Sequence, residues 1–98
     1  MERLPNIHPG EILKEEFLDP FGISAYKFSK EIKIPQTRIS QIIKGNRRIT
    51  ADTALRLSEF FGNSPQFWLG IQDDYDLEEE RIKIEEELKQ INRIVKAS

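Results

Sequence analysis

Between Pro35 and Gly45, every residue that is not isoleucine can donate a hydrogen bond. Gln36, Thr37, Arg38, Ser40, Gln41 and Lys44 carry amide, hydroxyl, guanidinium and ammonium donors, with no carboxylate among them. The interleaved Ile39, Ile42 and Ile43, with Ile34 just before, are spaced to form one apolar face of a helix. The opposite face then carries the chemistry of base recognition. Glutamine bonds adenine through two atoms, arginine does the same with guanine, and serine or threonine reaches bases or phosphates. The remaining basic residues cluster nearby. Residues 27–48 hold Lys27, Lys30, Lys33, Arg38, Lys44, Arg47 and Arg48 against Glu31 alone, although the whole chain carries a net charge of −2. A positive segment on an acidic chain says more about partners than the total does. Solubility charge and an ordinary solvated helix face are the plain alternatives.

The surrounding punctuation predicts the helices that must hold this face. His8-Pro9-Gly10 opens a helix that Asp19-Pro20 closes, since a residue before proline is pushed out of the α region. Ser24 caps a second helix, with Ala25, Phe28, Ser29 and Ile32 at i, i+3, i+4 and i+7 facing inward. After the turn at Lys33-Ile34, Pro35 starts a third helix that Gly45 stops. Thr50 caps a fourth, with Ala54, Leu57, Ser58 and Phe61 inward and Gly62 at its end, and Ser64-Pro65 starts a fifth. No stretch alternates with period 2 for long and β-branched clusters are scarce, so the predicted class is all-α. The helix, tight turn and helix across 24–44 have helix-turn-helix spacing, with the second helix placed to enter a major groove.

At 98 residues the chain makes one small domain, expected over 1–75, followed by an acidic amphipathic C-terminal helix over 76–98. Asp76-Leu77-Glu78-Glu79 has the form of a capping box, so a new helix starts there or the fifth continues. Leu77, Ile84, Leu88, Ile91 and Val95 form a short apolar stripe, suited to packing on the domain or on a partner chain. Residues 73–87 contain nine carboxylates against Arg81 and Lys83. Catalysis has no support. There are no cysteines and one histidine, so no metal site or cofactor is expected. Glu15, Glu16 and Asp19 lack any nucleophile or base spaced to complete a site. His8, beside a helix start, reads as a cap or a surface residue. With no membrane-spanning run and no signal-type N-terminus, a cytoplasmic protein is expected.

The stretches HPGEILKEEFLDPFGIS and IPQTRISQIIKGNRRITADTALRLSEFFGNSPQFWLGIQDDYDL strongly resemble HigA/VapI-type antitoxins. These form a branch of the phage-repressor-like (XRE, Cro/CI) helix-turn-helix group, and the resemblance covers residues 7–77. It implies a five-helix, lambda-repressor-like bundle with the extra C-terminal helix, acting as a homodimer. It also implies binding of an operator ahead of its own genes and neutralisation of a RelE-like, mRNA-cleaving toxin. Carried over by position, Gln36, Thr37, Arg38, Ser40 and Gln41 would read bases. Ser24, Lys27, Lys44, Asn46, Arg47 and Arg48 would hold phosphates. Two departures stand out. Phe28-Ser29 replaces the usual Leu-Ala, and Lys33 sits where glycine is common, which asks it for a backbone shape that costs about 1 kcal/mol.

Phe67-Trp68-Leu69-Gly70-Ile71 is apolar almost all round a helix. It is either a fully buried core helix or, since so small a bundle rarely encloses one, a homodimer interface of Phe67, Trp68, Ile71 and Tyr75. Two other functions fit the residues: a stand-alone phage-type repressor, and a protein-interaction module in which the helix-turn-helix is scaffold.

Overall fold

The computed structural model describes residues 5–95. The ends of the two expected segments, residues 1–4 and 96–98, lie outside the described residues. The described chain is all-helical: α1 (Pro9–Ile12) running on as a π-helical segment (Leu13–Leu18), α2 (Ala25–Ile32), α3 (Gln36–Ile43), α4 (Ala51–Phe61), α5 (Pro65–Lys83) and α6 (Glu85–Lys89). No helix among these residues is long and apolar enough to cross a membrane.

The predicted caps are in place. His8 Nδ1 accepts the Gly10 N–H at 2.9 Å, so the lone histidine is the N-cap of α1. The hydroxyls of Ser24, Thr50 and Ser64 accept the N–H groups of Lys27, Thr53 and Phe67. Each satisfies one of the amides that a helix start leaves without a partner. Lys33 has φ 59° and ψ 45°, the left-handed shape expected of it.

One core joins the first five helices. Leu13, Leu18, Phe28, Ile32, Ile34, Ile39, Ile42, Ile49, Ala54, Leu57 and Trp68 are buried in it. The π-segment explains how Leu13 and Leu18 both reach it. Five residues along an α-helix would turn them about 140° apart, whereas the wider turn brings i and i+5 together. The inward Ser29 and Ser58 hydroxyls donate to the carbonyls of Tyr26 and Leu55 within their own helices, so neither is left unsatisfied.

Trp68 corrects the reading that put it on a dimer surface. Its side chain is 0% exposed, packed on Phe17, Phe61 and Phe67, and its Nε1 donates to Asn63 Oδ1 at 2.9 Å. The small bundle encloses this face of α5 because the Phe17 ring reaches over from the π-segment. Phe67 stays 39% exposed and Ile71 is half-buried. At Asp76 no new helix starts: α5 continues to Lys83.

Candidate nucleic-acid interface

Helix α3 is seated from behind by main chain as well as side chains. A β-carbon on residue 10 would overlap the Ile42 carbonyl oxygen and stand 2.9 Å from the Ile43 Cα, so only glycine lets α1 approach this closely. Ile39 and Ile42 are fully buried beneath it. The opposite side of α3 opens on a groove of about 510 Å³, lined by Gln36, Thr37, Ser40, Gln41, Lys44 and Asn46. Four of the five expected base readers therefore share one concavity with two of the expected phosphate contacts, and no carboxylate lines it.

The fifth, Arg38, is not there. Its Nη2 lies 3.6 Å from Asp52 on α4, its side chain is 28% exposed, and its Nε is buried with no hydrogen-bond partner among the described residues. The cause is its place on the helix. At 100° per residue, positions 36, 37, 40, 41 and 44 fall within an arc of about 140°, and residue 38 lies beyond its edge, beside the buried Ile42. Asp52 is held in turn by Arg56, whose Nε is 3.1 and 3.2 Å from its two oxygens. Arg56 Nη1 also donates to the carbonyls of Ile32 and Lys33 at 3.0 and 3.3 Å, closing the end of α2. This clamp from α4 onto both motif helices was not read from the sequence. Asp52 and Arg56 at i, i+4 were its only local signal.

The phosphate candidates divide as well. Ser24 and Lys27 are exposed at the start of α2, where N–H groups point outward. Asn46 and Arg47 are exposed in the loop after α3, and Arg47 Nη1 approaches Gln41 Oε1 at 3.5 Å, the long limit of a hydrogen bond. Arg48 is tied back instead, with Nη2 2.7 Å from Asp76 Oδ2 on α5. Gln72, 1% exposed, completes that link. Its Oε1 accepts the Ile49 N–H at 2.7 Å and its Nε2 donates to Asp76 Oδ1 at 2.9 Å. A polar residue four places after Trp68 on the buried face was the available sign of this bridge.

The electrostatics follow this geometry. Burial acts to raise the Asp76 pKa, but the hydrogen bonds from Arg48 and Gln72 and the nearby positive charge outweigh it, leaving the carboxyl below its usual value. Partial burial lowers the His8 pKa against the pull of Asp76. Tyr75, whose ring meets His8 edge-on at 4.8 Å, is raised by burial and by Glu79, which its hydroxyl contacts at 3.4 Å. That packing occupies much of the Tyr75 side chain within its own domain.

The family model described as "Helix-turn-helix" matches residues 13–68, more than half of the chain. The chain belongs to the helix-turn-helix family. Within this family, virulence-associated protein I of Dichelobacter nodosus is 45% identical over 95 residues, which is 97% of this chain and 84% of that one. An addiction module antidote protein of the HigA family from Coxiella burnetii superposes with a TM-score of 0.86 at 42% identity, covering 94% of this chain and all of that one. The antitoxin HigA of Pseudomonas aeruginosa, solved with the higBA promoter, gives a TM-score of 0.89 at 34% identity over 93% of this chain and all of that one. The family is one of DNA-binding regulators and antitoxins rather than enzymes, and the solved neighbours are HigA-type.

Proposed function

We propose that this helix-turn-helix chain is the antitoxin of a type II toxin–antitoxin pair. As a cytoplasmic homodimer it binds an operator ahead of its own genes and represses them, and it neutralises a RelE-like, mRNA-cleaving toxin. The observation that carries the DNA half is the groove on α3: six hydrogen-bonding side chains, no carboxylate, and basic residues at its rim. The P. aeruginosa relative solved on promoter DNA supports it. Gln36, Thr37, Ser40 and Gln41 face the bases, while Ser24, Lys27, Lys44, Asn46 and Arg47 hold the backbone. The dimer forms through the outer side of α5, where Phe67 and Ile71 keep exposed surface and Trp68 takes no part. Paired half-sites need paired reading helices.

The test is a titration of the full chain against the duplex upstream of its gene and a shuffled duplex of equal composition, at two salt concentrations. A ratio of about 10³ or more in favour of the upstream duplex is expected. Equal affinities at both salts would remove the repressor reading. Co-expression with the adjacent reading frame tests the toxin half: rescue of growth supports it, and persistent arrest with intact antitoxin rejects it.

A further inference from the structure

The groove that faces DNA in this reading is neutral along most of its length. Gln36, Thr37, Ser40 and Gln41 line it, and positive charge enters at the Lys44 lip and from Arg47, whose Nη1 lies 3.5 Å from Gln41 Oε1. The arginine that α3 carries is turned away onto the bundle side. Its guanidinium faces Asp52, which Arg56 fixes in place while also holding the carbonyls of Ile32 and Lys33. These two side-chain types ask for different bases. An arginine reads guanine by donating to both O6 and N7, whereas a glutamine reads adenine by donating to N7 and accepting from the N6 amino group.

We propose that Gln36 and Gln41 read adenines in the major groove of each half-site, and that Arg38 is a positioning residue, seating α3 on α4, rather than a reader of guanine. This rests on the operator-binding reading above and narrows it to a class of site: duplex in which A·T pairs meet the two amides. Five residues of helical rise, about 7.5 Å, separate the glutamines, matching about two base steps along a helix that follows the groove. Thr37 and Ser40 lie between them in the same concavity, and a threonine methyl there suits the methyl of an intervening thymine. The 3.5 Å approach of Arg47 to the Gln41 amide is long enough to be exchanged for a base amino group.

The experiment starts from duplexes that the full chain enriches out of a random-sequence library. Affinity is then measured on the enriched site with 7-deazaadenine or 7-deazaguanine placed in the half-site, since each analogue removes only the N7 acceptor. The enriched half-site is expected to hold adenines about two base pairs apart. 7-Deazaadenine there is expected to weaken binding roughly tenfold, and Gln36→Ala and Gln41→Ala to be indifferent each to its own adenine. Arg38→Met is expected to keep the wild-type ratio of enriched to random DNA. A half-site sensitive to 7-deazaguanine, with that sensitivity lost in Arg38→Met, would overturn the proposal. If Arg38→Met fails to fold, the two base analogues on the wild-type chain decide the matter by themselves. A chain that enriches no sequence would bring down the operator reading and this proposal together, a result distinct from enrichment of a guanine-dependent site.

Discussion

The first and second halves of α5 are one continuous helix with opposite surroundings. In the first, Trp68 is sealed under Phe17 and Phe61, and Gln72 bonds the loop that follows α3. In the second, Leu77 is 59% exposed, and beyond it no described residue is buried, the apolar Ile82, Ile84, Leu88 and Ile91 included. The near half and the stripe that runs from Leu77 through Ile84 and Leu88 into α6 both carry apolar residues, so an apolar pattern alone does not decide burial; a neighbour does. The near half is part of the bundle that seats α3 and its following loop. The far half is an acidic appendage whose apolar stripe the domain leaves uncovered.

That contrast can be broken most severely at Trp68. Trp68→Ala should cost about 3–5 kcal/mol and lower the melting temperature by well over ten degrees or abolish folding. A chain ending at Leu77, which keeps Gln72 and Asp76 but lacks most of the far half and all of α6, should melt within a few degrees of the full one. A truncated chain that melts as early as the tryptophan variant would show the two halves to be one cooperative unit.

The link from near half to loop is the next largest. Gln72→Leu leaves the Ile49 N–H buried without an acceptor and removes a donor to Asp76, so a loss of about 1–3 kcal/mol is expected in chemical denaturation. DNA affinity should fall with it, because the loop carries Asn46 and Arg47, the proposed phosphate contacts. Wild-type affinity in a destabilised Gln72→Leu chain would separate loop from helix.

His8 sharpens the comparison by pH. Its folded pKa lies below the ordinary 6.5, so the unfolded chain takes up the proton first on acidification. The stability it contributes is full above about pH 6.5 and is lost as pH falls through the lower folded value. Melting temperature should therefore decline over that window in the wild type. In His8→Asn, where an amide oxygen can cap Gly10 without titrating, the His8 part of the decline should vanish. An unchanged profile in His8→Asn would show that other groups cause it.

The smallest effect is expected at Lys33. Lys33→Gly relieves a left-handed lysine and should raise stability by up to about 1 kcal/mol, with the ratio of operator to random affinity unchanged.

The elements were largely legible because their ends are written locally. His8, Ser24, Thr50 and Ser64 each cap the helix they precede, and Gly62 ends α4 with φ 78°. The residues that escaped the sequence reading are those whose partner lies on another helix. Trp68 has the same pattern whether it meets Phe17 or a second chain. Arg38 sits at the rim of an apolar arc, and only Asp52, fourteen positions on, turns it inward. Leu13 and Leu18 look out of phase until the π-turn realigns them.

The approach of Gly10 to the Ile42 carbonyl has one more consequence. Because α3 is fixed partly by main chain meeting main chain, its tilt in a DNA groove depends little on what its outer positions carry. On the proposed operator reading, substitutions at 36, 37, 40 and 41 would change the sequence being read while the angle of presentation persists. Recognition can thus diverge by single exposed substitutions, without passing through misfolded intermediates; a change at position 10 would disturb every such variant at once.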